Sequence, residues 1–546
     1  MRDDRDALAS ARTKQTWLFL LRATGLVLIV LAAFYPLRSA GFIWDDKSWL
    51  LTNPLVRYWA GIPYFWLQPG LDIQYYPLVY TVFDVAYHLW GYNPLGYHLM
   101  NVLFQAGNTL LVWILLQRLG LKSAWLAAAI FAVHPIQVET VGWITEIKSL
   151  LSVFFYLLTL LFYCRFSGLD QVSLDANSVH AYRRFPLYFL AFFFYLLALF
   201  SKTDVCTLPA AILILIWWKR GHWMRSDILW LLPMFVIGAI LALMTIHVEH
   251  TTAGTSGPDW DFAFSQRTII AGKALWFYAA KIFFPDKLFL VYPRWSTSEL
   301  GGWEWIFPIS IVFILAVLWI TRKKIGRGPF SAAVFFLITL APVLGFISYF
   351  TMLYTFVADH YQYLACLGLI VPAAEFLWWL AHVLPIRQNQ LFVLAGSIIV
   401  LALSVLTFGQ SLLYQSPVSL WGYVDNANPN SFIVKTSYAE ALLEAQDVSD
   451  ALPLLNQADQ LRPGNIYTHL DLGMAYMQIG EYQTALGYFR TCLIPDPSFN
   501  QAWCNAANCL VALGRYTQAI GLLQDAVKAN PANADAWFGL ARLYEA

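Results

Sequence analysis

The reading that decides the fold starts at residues 17–35, followed directly by Gly41-Phe42-Ile43-Trp44-Asp45-Asp46. The first part is an apolar run long enough to cross a hydrocarbon core. Arg2, Arg5, Arg12 and Lys14 precede it, and a basic flank marks the cytoplasmic side. The acid pair then falls at the outer membrane surface, where carboxylates are costly unless a site uses them. No small-residue cleavage site follows the run, so it reads as an anchor rather than a cleaved signal peptide.

Composition extends this reading to the whole chain. Of 546 residues, 59% are hydrophobic, 17% aromatic and only 12% charged, which excludes an ordinary soluble globular protein. The net charge of +1 conceals a division. From Tyr414 onward 12 Asp/Glu face 6 Lys/Arg, whereas the remainder is basic. A basic membrane part and an acidic tail are two different objects. The six cysteines have no metal-ligand spacing and suggest no disulfide framework.

Basic clusters punctuate the membrane part: Arg118/Lys122, Arg165 with Arg183/Arg184, Lys219/Arg220/Arg225, Arg322/Lys323/Lys324/Arg327, and Arg387. If each is cytoplasmic, an even number of crossings lies between neighbours, giving about eleven spans with the C-terminus outside. Residues 124–140 and 148–163 form one such pair, with His134, Pro135 and Glu139 near their outer turn. Two short spans between Arg184 and Lys219 carry Ser201-Lys202-Thr203-Asp204 at a sunken hairpin. Residues 228–246, 305–320, 330–348, 361–380 and 391–412 complete the series. Residues 77–90 and 268–284 hold Asp84, His88, Lys273 and Lys281, and read as interfacial helices. His98, Asn101, Gln105 and Asn108 line one face of a span, as interhelical hydrogen bonding requires. His247, Glu249 and His250 read as solvated loop residues.

In the tail, Pro429, Pro463, Pro497 and Pro531 recur every 34 residues. Leu472-Gly473, Ala475-Tyr476, Gly480, Tyr482, Ala485 and Phe489 fall between them, and Trp503, Gly514, Tyr516, Ala519 and Ala526 follow in register. This is the tetratricopeptide pattern of paired helices. The expected fold class is all-α: a polytopic helical membrane domain over residues 1–413, then a tetratricopeptide solenoid over 414–546.

Several stretches together resemble the transmembrane-and-tetratricopeptide glycosyltransferases, the O-mannosyltransferases of that design and their bacterial relatives. They are Trp44-Asp45-Asp46, Tyr97-His98-Leu99-Met100-Asn101, His134-Pro135-Ile136-Gln137-Val138-Glu139, Trp143-Ile144-Thr145-Glu146, Ser201-Lys202, Tyr292-Pro293 and Ala358-Asp359-His360-Tyr361-Gln362-Tyr363-Leu364. The chain departs from many bacterial relatives at Glu146-Ile147-Lys148-Ser149, where they read Glu-Arg-Lys-Asp. It departs again at Asp359-His360-Tyr361, where they favour Asp-Arg-Tyr. The resemblance implies a GT-C membrane fold and an inverting transfer of a sugar from a polyprenyl-phosphate carrier. The implied acceptor lies outside the cytoplasm, with protein Ser/Thr hydroxyls the first expectation. The implied setting is a bacterial inner membrane with the site and the repeats on the periplasmic side.

Such chemistry needs a carboxylate base near the acceptor oxygen and cationic or hydrogen-bonding groups at the departing phosphate. Asp45 aligns with the family base, and Asp46 orients it or binds acceptor. Lys202, Lys148, Arg294 and His360 are candidate phosphate contacts, each equally readable as an interfacial cation facing headgroups. Lys202 stands out because its hairpin is short. His134 and Glu139 read as a hydrogen-bonded pair shaping the site, joined by Glu146, Asp359 and Tyr361. No metal site is called and no cofactor is fixed by the sequence; a divalent metal is compatible with the chemistry. The expected partners are the lipid-linked sugar, a polypeptide docked by the repeats, and the bilayer; nucleic acid is not among them. Two rivals stay open: a transferase or oligosaccharide ligase acting on a lipid or glycan acceptor, and a non-enzymatic scaffold whose spans only anchor the repeats.

Overall fold

A computed structural model describes residues 2–71, 74–169, 181–252, 254–296, 301–383, 388–497, 499–531 and 533–545. Arg387, one of the basic markers, lies outside the described residues, as do the side chains of Arg183 and Arg184. All regular structure among the described residues is helical, as α-helices, 310 turns and one π turn. The protein is all-α. It divides into two compact units, residues 1–290 with 294–415, and 291–293 with 416–546.

The first unit contains six helices long and apolar enough to cross a bilayer: Thr13–Ala33, Pro94–Arg118, Ile144–Ser167, Arg225–Thr252, Gly302–Ile325 and Gln388–Leu413. Phe185–Ser201, Gly328–Val343 and Leu367–Val383 are shorter apolar helices. This is an integral membrane protein.

One expected span is broken. Residues 124–140 form two pieces, Ala124–Ala132 and Gln137–Gly142. Pro135 causes the break, because it lacks an N–H and disfavours helical backbone at His134. Residues 131–153 are all buried, so this segment folds back inside the unit. Its open carbonyls need donors at such depth. The polar face of the Pro94–Arg118 helix supplies them. Gln105 Nε2 donates to the Ala132 carbonyl (3.1 Å), Asn101 Nδ2 to that of Trp143 (3.1 Å) and Asn108 Nδ2 to that of Leu150 (3.0 Å). Three amides on one helix thereby fix the backbone leading into residues 143–148.

The short pair is Ala181–Ser201 and Leu208–Arg220, joined by a 310 turn at Thr203–Thr207. Ser201, Lys202 and Thr203 at that turn are buried. His247, Glu249 and His250 do not occupy a loop: they end the Arg225–Thr252 helix. Glu249 is half-buried there and accepts a hydrogen bond from Gln74 Nε2 (3.2 Å). The turn-prone sequence begins only at Gly254, which has a positive φ of 65°.

The second unit is an array of antiparallel helices, Pro417–Ala427, Phe432–Glu444, Val448–Leu461, Ile466–Gln478, Tyr482–Cys492, Asn500–Ala512, Tyr516–Ala529 and Ala534–Glu545. Small residues set their close approach. A Cβ at Gly473 would lie 2.4 Å from the Phe489 ring, so only glycine admits that contact. Ala485, Ala502, Ala506 and Ala519 line the same core.

Candidate active site

Two segments of the first unit meet around Asp45. Trp44 has φ +48°, a region that a bulky residue adopts only when its surroundings enforce it. Its indole stacks on Trp143 at 5.1 Å between centroids and packs obliquely on Tyr354 at 5.9 Å. This kink sets the direction of the next side chain. Asp45 Oδ1 accepts hydrogen bonds from Trp143 Nε1 and Thr145 Oγ1, each 2.8 Å. Both donors meet the same oxygen, and Oδ2 is engaged by neither. Burial pushes the Asp45 carboxyl above its ordinary range, with Lys148 and the two donors opposing.

Asp46 is fully buried. Its Oδ1 accepts from the Thr145 N–H (2.8 Å) and its Oδ2 from the Ile43 N–H (2.9 Å). Burial, then the neighbouring Asp45, push its carboxyl well up. With both oxygens taken by backbone, Asp46 pins the 43–46 turn to residue 145. The geometry favours the orienting role over acceptor binding.

Beyond Thr145 comes a buried charge cluster centred on Glu146. Lys148 Nζ lies 3.0 Å from Glu146 Oε1, and Lys202 Nζ lies 3.7 Å from Oε2. Ser149 donates to Glu146 Oε2. Lys202 donates to Ser149 Oγ at 2.8 Å and stands 3.6 Å from Asp204 Oδ2. The Lys148 ammonium sits 5.4 Å from the Trp143 ring centre, on the residue whose N–H holds Asp45. Lys202 lies 5.7 Å from the Tyr361 ring centre, and the Tyr361 hydroxyl bonds Thr351 Oγ1 (2.7 Å). A small cavity of about 30 Å³ opens beside this cluster, lined in part by Ser149, Ser152, Asp204, His360 and Tyr361.

The expected His134–Glu139 pair does not form. Glu139 instead binds His360, with Nδ1 2.7 Å from Oε1 and the His360 backbone N–H donating to Oε2 (3.2 Å). His134 Nε2 lies 2.8 Å from the Ile282 carbonyl oxygen. The break at Pro135 turns the two side chains apart. His360 Nε2 also reaches to 3.8 Å from Glu146 Oε1. Burial lowers the His360 pKa from 6.5 to about 3, with the Glu146 carboxylate opposing. Asp359 is buried behind it and accepts from Gln362 Nε2 (3.2 Å).

Arg294 stands apart from this cluster. It donates to the Asp259 carbonyl (3.0 Å) and lies over the rings of Phe356 and Phe262 at 5.1 and 5.8 Å. Of the predicted site residues, the structure groups Asp45, Asp46, Glu139, Glu146, Lys148, Lys202, Asp359, His360 and Tyr361. It leaves His134 and Arg294 elsewhere. Trp143, Thr145 and Ser149 were not among the expected site residues. The two-residue spacing of Trp143 and Thr145 before an acid was the available signal. Among the described residues there is no group of three or more His, Cys, Asp or Glu placed to hold a metal.

Family models for the tetratricopeptide repeat match residues 442–507 and 504–546. The chain is 32% identical over 161 residues to the mouse protein O-mannosyl-transferase TMTC3, covering 27% of this chain and 17% of that protein. It is 35% identical over 142 residues to Drosophila melanogaster protein O-mannosyl-transferase Tmtc2 (23% and 15%), and 29% over 164 residues to human TMTC4 (25% and 22%). The chain is TMTC-like. It matches less than a quarter of the length of each of these relatives. A membrane part followed by tetratricopeptide repeats is the design the sequence resemblance implied, and the TMTC-like likeness and the repeat matches bear it out.

Proposed function

We propose that this protein is a membrane glycosyltransferase of GT-C type that moves a sugar from a polyprenyl-phosphate carrier to hydroxyl groups of proteins outside the cytoplasm. Residues 1–413 form the catalytic domain and residues 414–546 dock the polypeptide acceptor. The setting is a bacterial inner membrane, with the N-terminus cytoplasmic and the site periplasmic.

One observation carries this reading. The stretch Trp143–Lys148 holds the Asp45 carboxylate through Trp143 and Thr145, and one and three residues later presents Glu146 and Lys148, with Lys202 beside them. A base held against this turn, with one cation on the turn and a second beside it, matches the two demands of the reaction. The acceptor oxygen attacks the sugar carbon and gives its proton to Asp45 Oδ2. The bond from that carbon to the phosphate oxygen breaks, and the electron pair leaves with the polyprenyl phosphate, whose charge Lys148 and Lys202 stabilise. Attack opposite the leaving group inverts the sugar carbon. A scaffold whose spans only anchor the repeats has no use for buried charges of this kind, which are costly to hold within a membrane unit.

The test is the product. The purified protein, reconstituted with a radiolabelled polyprenyl-phosphate-linked mannose and a Ser/Thr-rich polypeptide, should yield hexose on hydroxyl side chains by mass spectrometry. Label appearing only on lipid or glycan would move the reading to the other acceptor class.

A further inference from the structure

Glu249 is a carboxylate near the reaction centre that the transfer chemistry above leaves unused. It stands in the last turn of the Arg225–Thr252 helix, the negative end of the helix dipole, where cations rather than anions are favoured. It is half-buried. Lys148 and Lys202 reach it through their fields, yet among the described residues both pair with other carboxylates and neither pairs with Glu249. Its hydrogen bond from Gln74 Nε2 ends on Oε1 (3.2 Å), and Oε2 accepts from no described residue.

Helix geometry places this free oxygen. Thr245 and Glu249 are four residues apart, so they share one face of the helix, roughly 6 Å apart along its axis. Thr203 Oγ1, beside Lys202, donates to Thr245 Oγ1 (3.1 Å). Glu249 therefore stands one turn beyond the level of Lys202, on the face that looks towards it. Two tyrosines mark the same space. Tyr76 bonds Thr203, and the fields of Glu249, Asp204 and Glu146 all reach its hydroxyl. Tyr349, whose ring packs on Tyr361 at 5.8 Å, also feels Glu249. Glu249 thus faces the Lys148 and Lys202 ammoniums from a separate element without closing on them.

A carboxylate so placed repels the leaving phosphate, so it is no part of the phosphate site. The sugar bonded to that phosphate is neutral and rich in hydroxyls, and a hydroxyl donating to a carboxylate makes a strong hydrogen bond. We propose that Glu249 reads the sugar of the donor: its Oε2 accepts a hydroxyl of the transferred hexose, while Gln74 holds Oε1 and fixes the carboxylate plane. The inference rests on the transferase reading above and deepens it by naming what selects the sugar. Tying Gln74 to the helix needs one oxygen and no charge, so that role alone does not account for an anion at this helix end.

The test is carrier binding, which needs no turnover. The full-length protein in detergent is titrated with bare polyprenyl phosphate and with the same carrier bearing mannose, glucose or N-acetylglucosamine. The wild type should bind at least one loaded carrier about tenfold or more tightly than the bare one, as a hydrogen bond to a charged group allows. Glu249→Gln keeps an Oε1 for Gln74 and removes the charge. It should lose most of that preference, with bare-carrier affinity unchanged or higher. Gln74→Ala leaves Glu249 in place but frees its carboxylate, and should lower the same preference by a smaller factor. Equal losses for bare and loaded carriers in Glu249→Gln would return the residue to a purely structural role. A loaded-to-bare ratio that matches the wild type, or a wild type with no preference, would also overturn the inference. Sugar-dependent binding that Glu249→Gln abolishes, in a protein that transfers no sugar to any acceptor, would keep the sugar contact and refute the transferase.

Discussion

Trp143 donates its indole N–H to Asp45 Oδ1 at 2.8 Å, while its ring stacks on Trp44 and lies 5.4 Å from the Lys148 ammonium. One side chain therefore touches the acid, the strained residue that aims it, and the nearest cation. Trp143→Phe retains the ring and removes the donor. That donor holds the Asp45 pKa down, so its loss should raise the pKa further. A base works only when ionised, so the rate climbs as pH rises through that pKa. The acid limb of kcat/KM against pH should move to higher pH in Trp143→Phe, with an unchanged melting temperature. An equal loss at every pH, with the limb unmoved, would contradict this role.

Lys202→Met separates phosphate binding from structure. Removing this ammonium leaves Glu146 paired with Lys148 at 3.0 Å, while the half-buried Asp204 loses its cation at 3.6 Å. The KM for the lipid-linked donor should rise about 10- to 100-fold, the range of a lost charge-assisted hydrogen bond. Acceptor KM should remain near wild type. A large fall in melting temperature with unaltered donor kinetics would assign Lys202 to the fold through its Asp204 contact.

His360 sets a pH window for stability. Its folded pKa is about 3 against an ordinary 6.5. Between those values the unfolded chain binds a proton here that the folded chain refuses, so stability falls as pH drops from about 6.5 towards 3. Gln does not titrate and can still hydrogen-bond Glu139. The melting temperature of His360→Gln should therefore depend less steeply on pH across this window. Parallel curves for the two proteins would remove His360 as the cause.

Much of this was legible in the sequence, for identifiable reasons. The Pro429, Pro463, Pro497 and Pro531 period is local and strong, so the repeats could be read directly. Asp45 and Lys202 stood out because charge beside apolar runs needs a use. The His134–Glu139 pairing failed because sequence spacing does not tell where a chain turns after Pro135, and Glu139 found its partner 221 residues away. From the sequence, Lys202 reads as a phosphate contact on a short hairpin that also carries Asp204. Glu146, more than fifty residues distant, is the additional carboxylate. Glu249 looked like a solvated loop residue because Gly254, Ser256 and Gly257 follow closely, yet the helix holds to Thr252.

Orientation can be tested on the second unit. Gln518 is exposed, and the six native cysteines are buried or half-buried. An impermeant maleimide should label Gln518→Cys in intact cells once the outer barrier is opened. Protection until the inner membrane is broken would place the repeats in the cytoplasm and overturn the odd number of crossings.

The most direct test of the central claim is the single-turnover rate of Asp45→Asn with a polyprenyl-phosphate-linked sugar. Asparagine keeps an Oδ1 that can accept from Trp143 and Thr145, so the fold, the melting temperature and donor affinity should stay near wild type. The amide cannot take the acceptor's proton. The rate should fall on the order of 10²–10⁴-fold, the usual contribution of a general base. A folded Asp45→Asn protein that transfers sugar at the wild-type rate would contradict the assignment of Asp45 as the base.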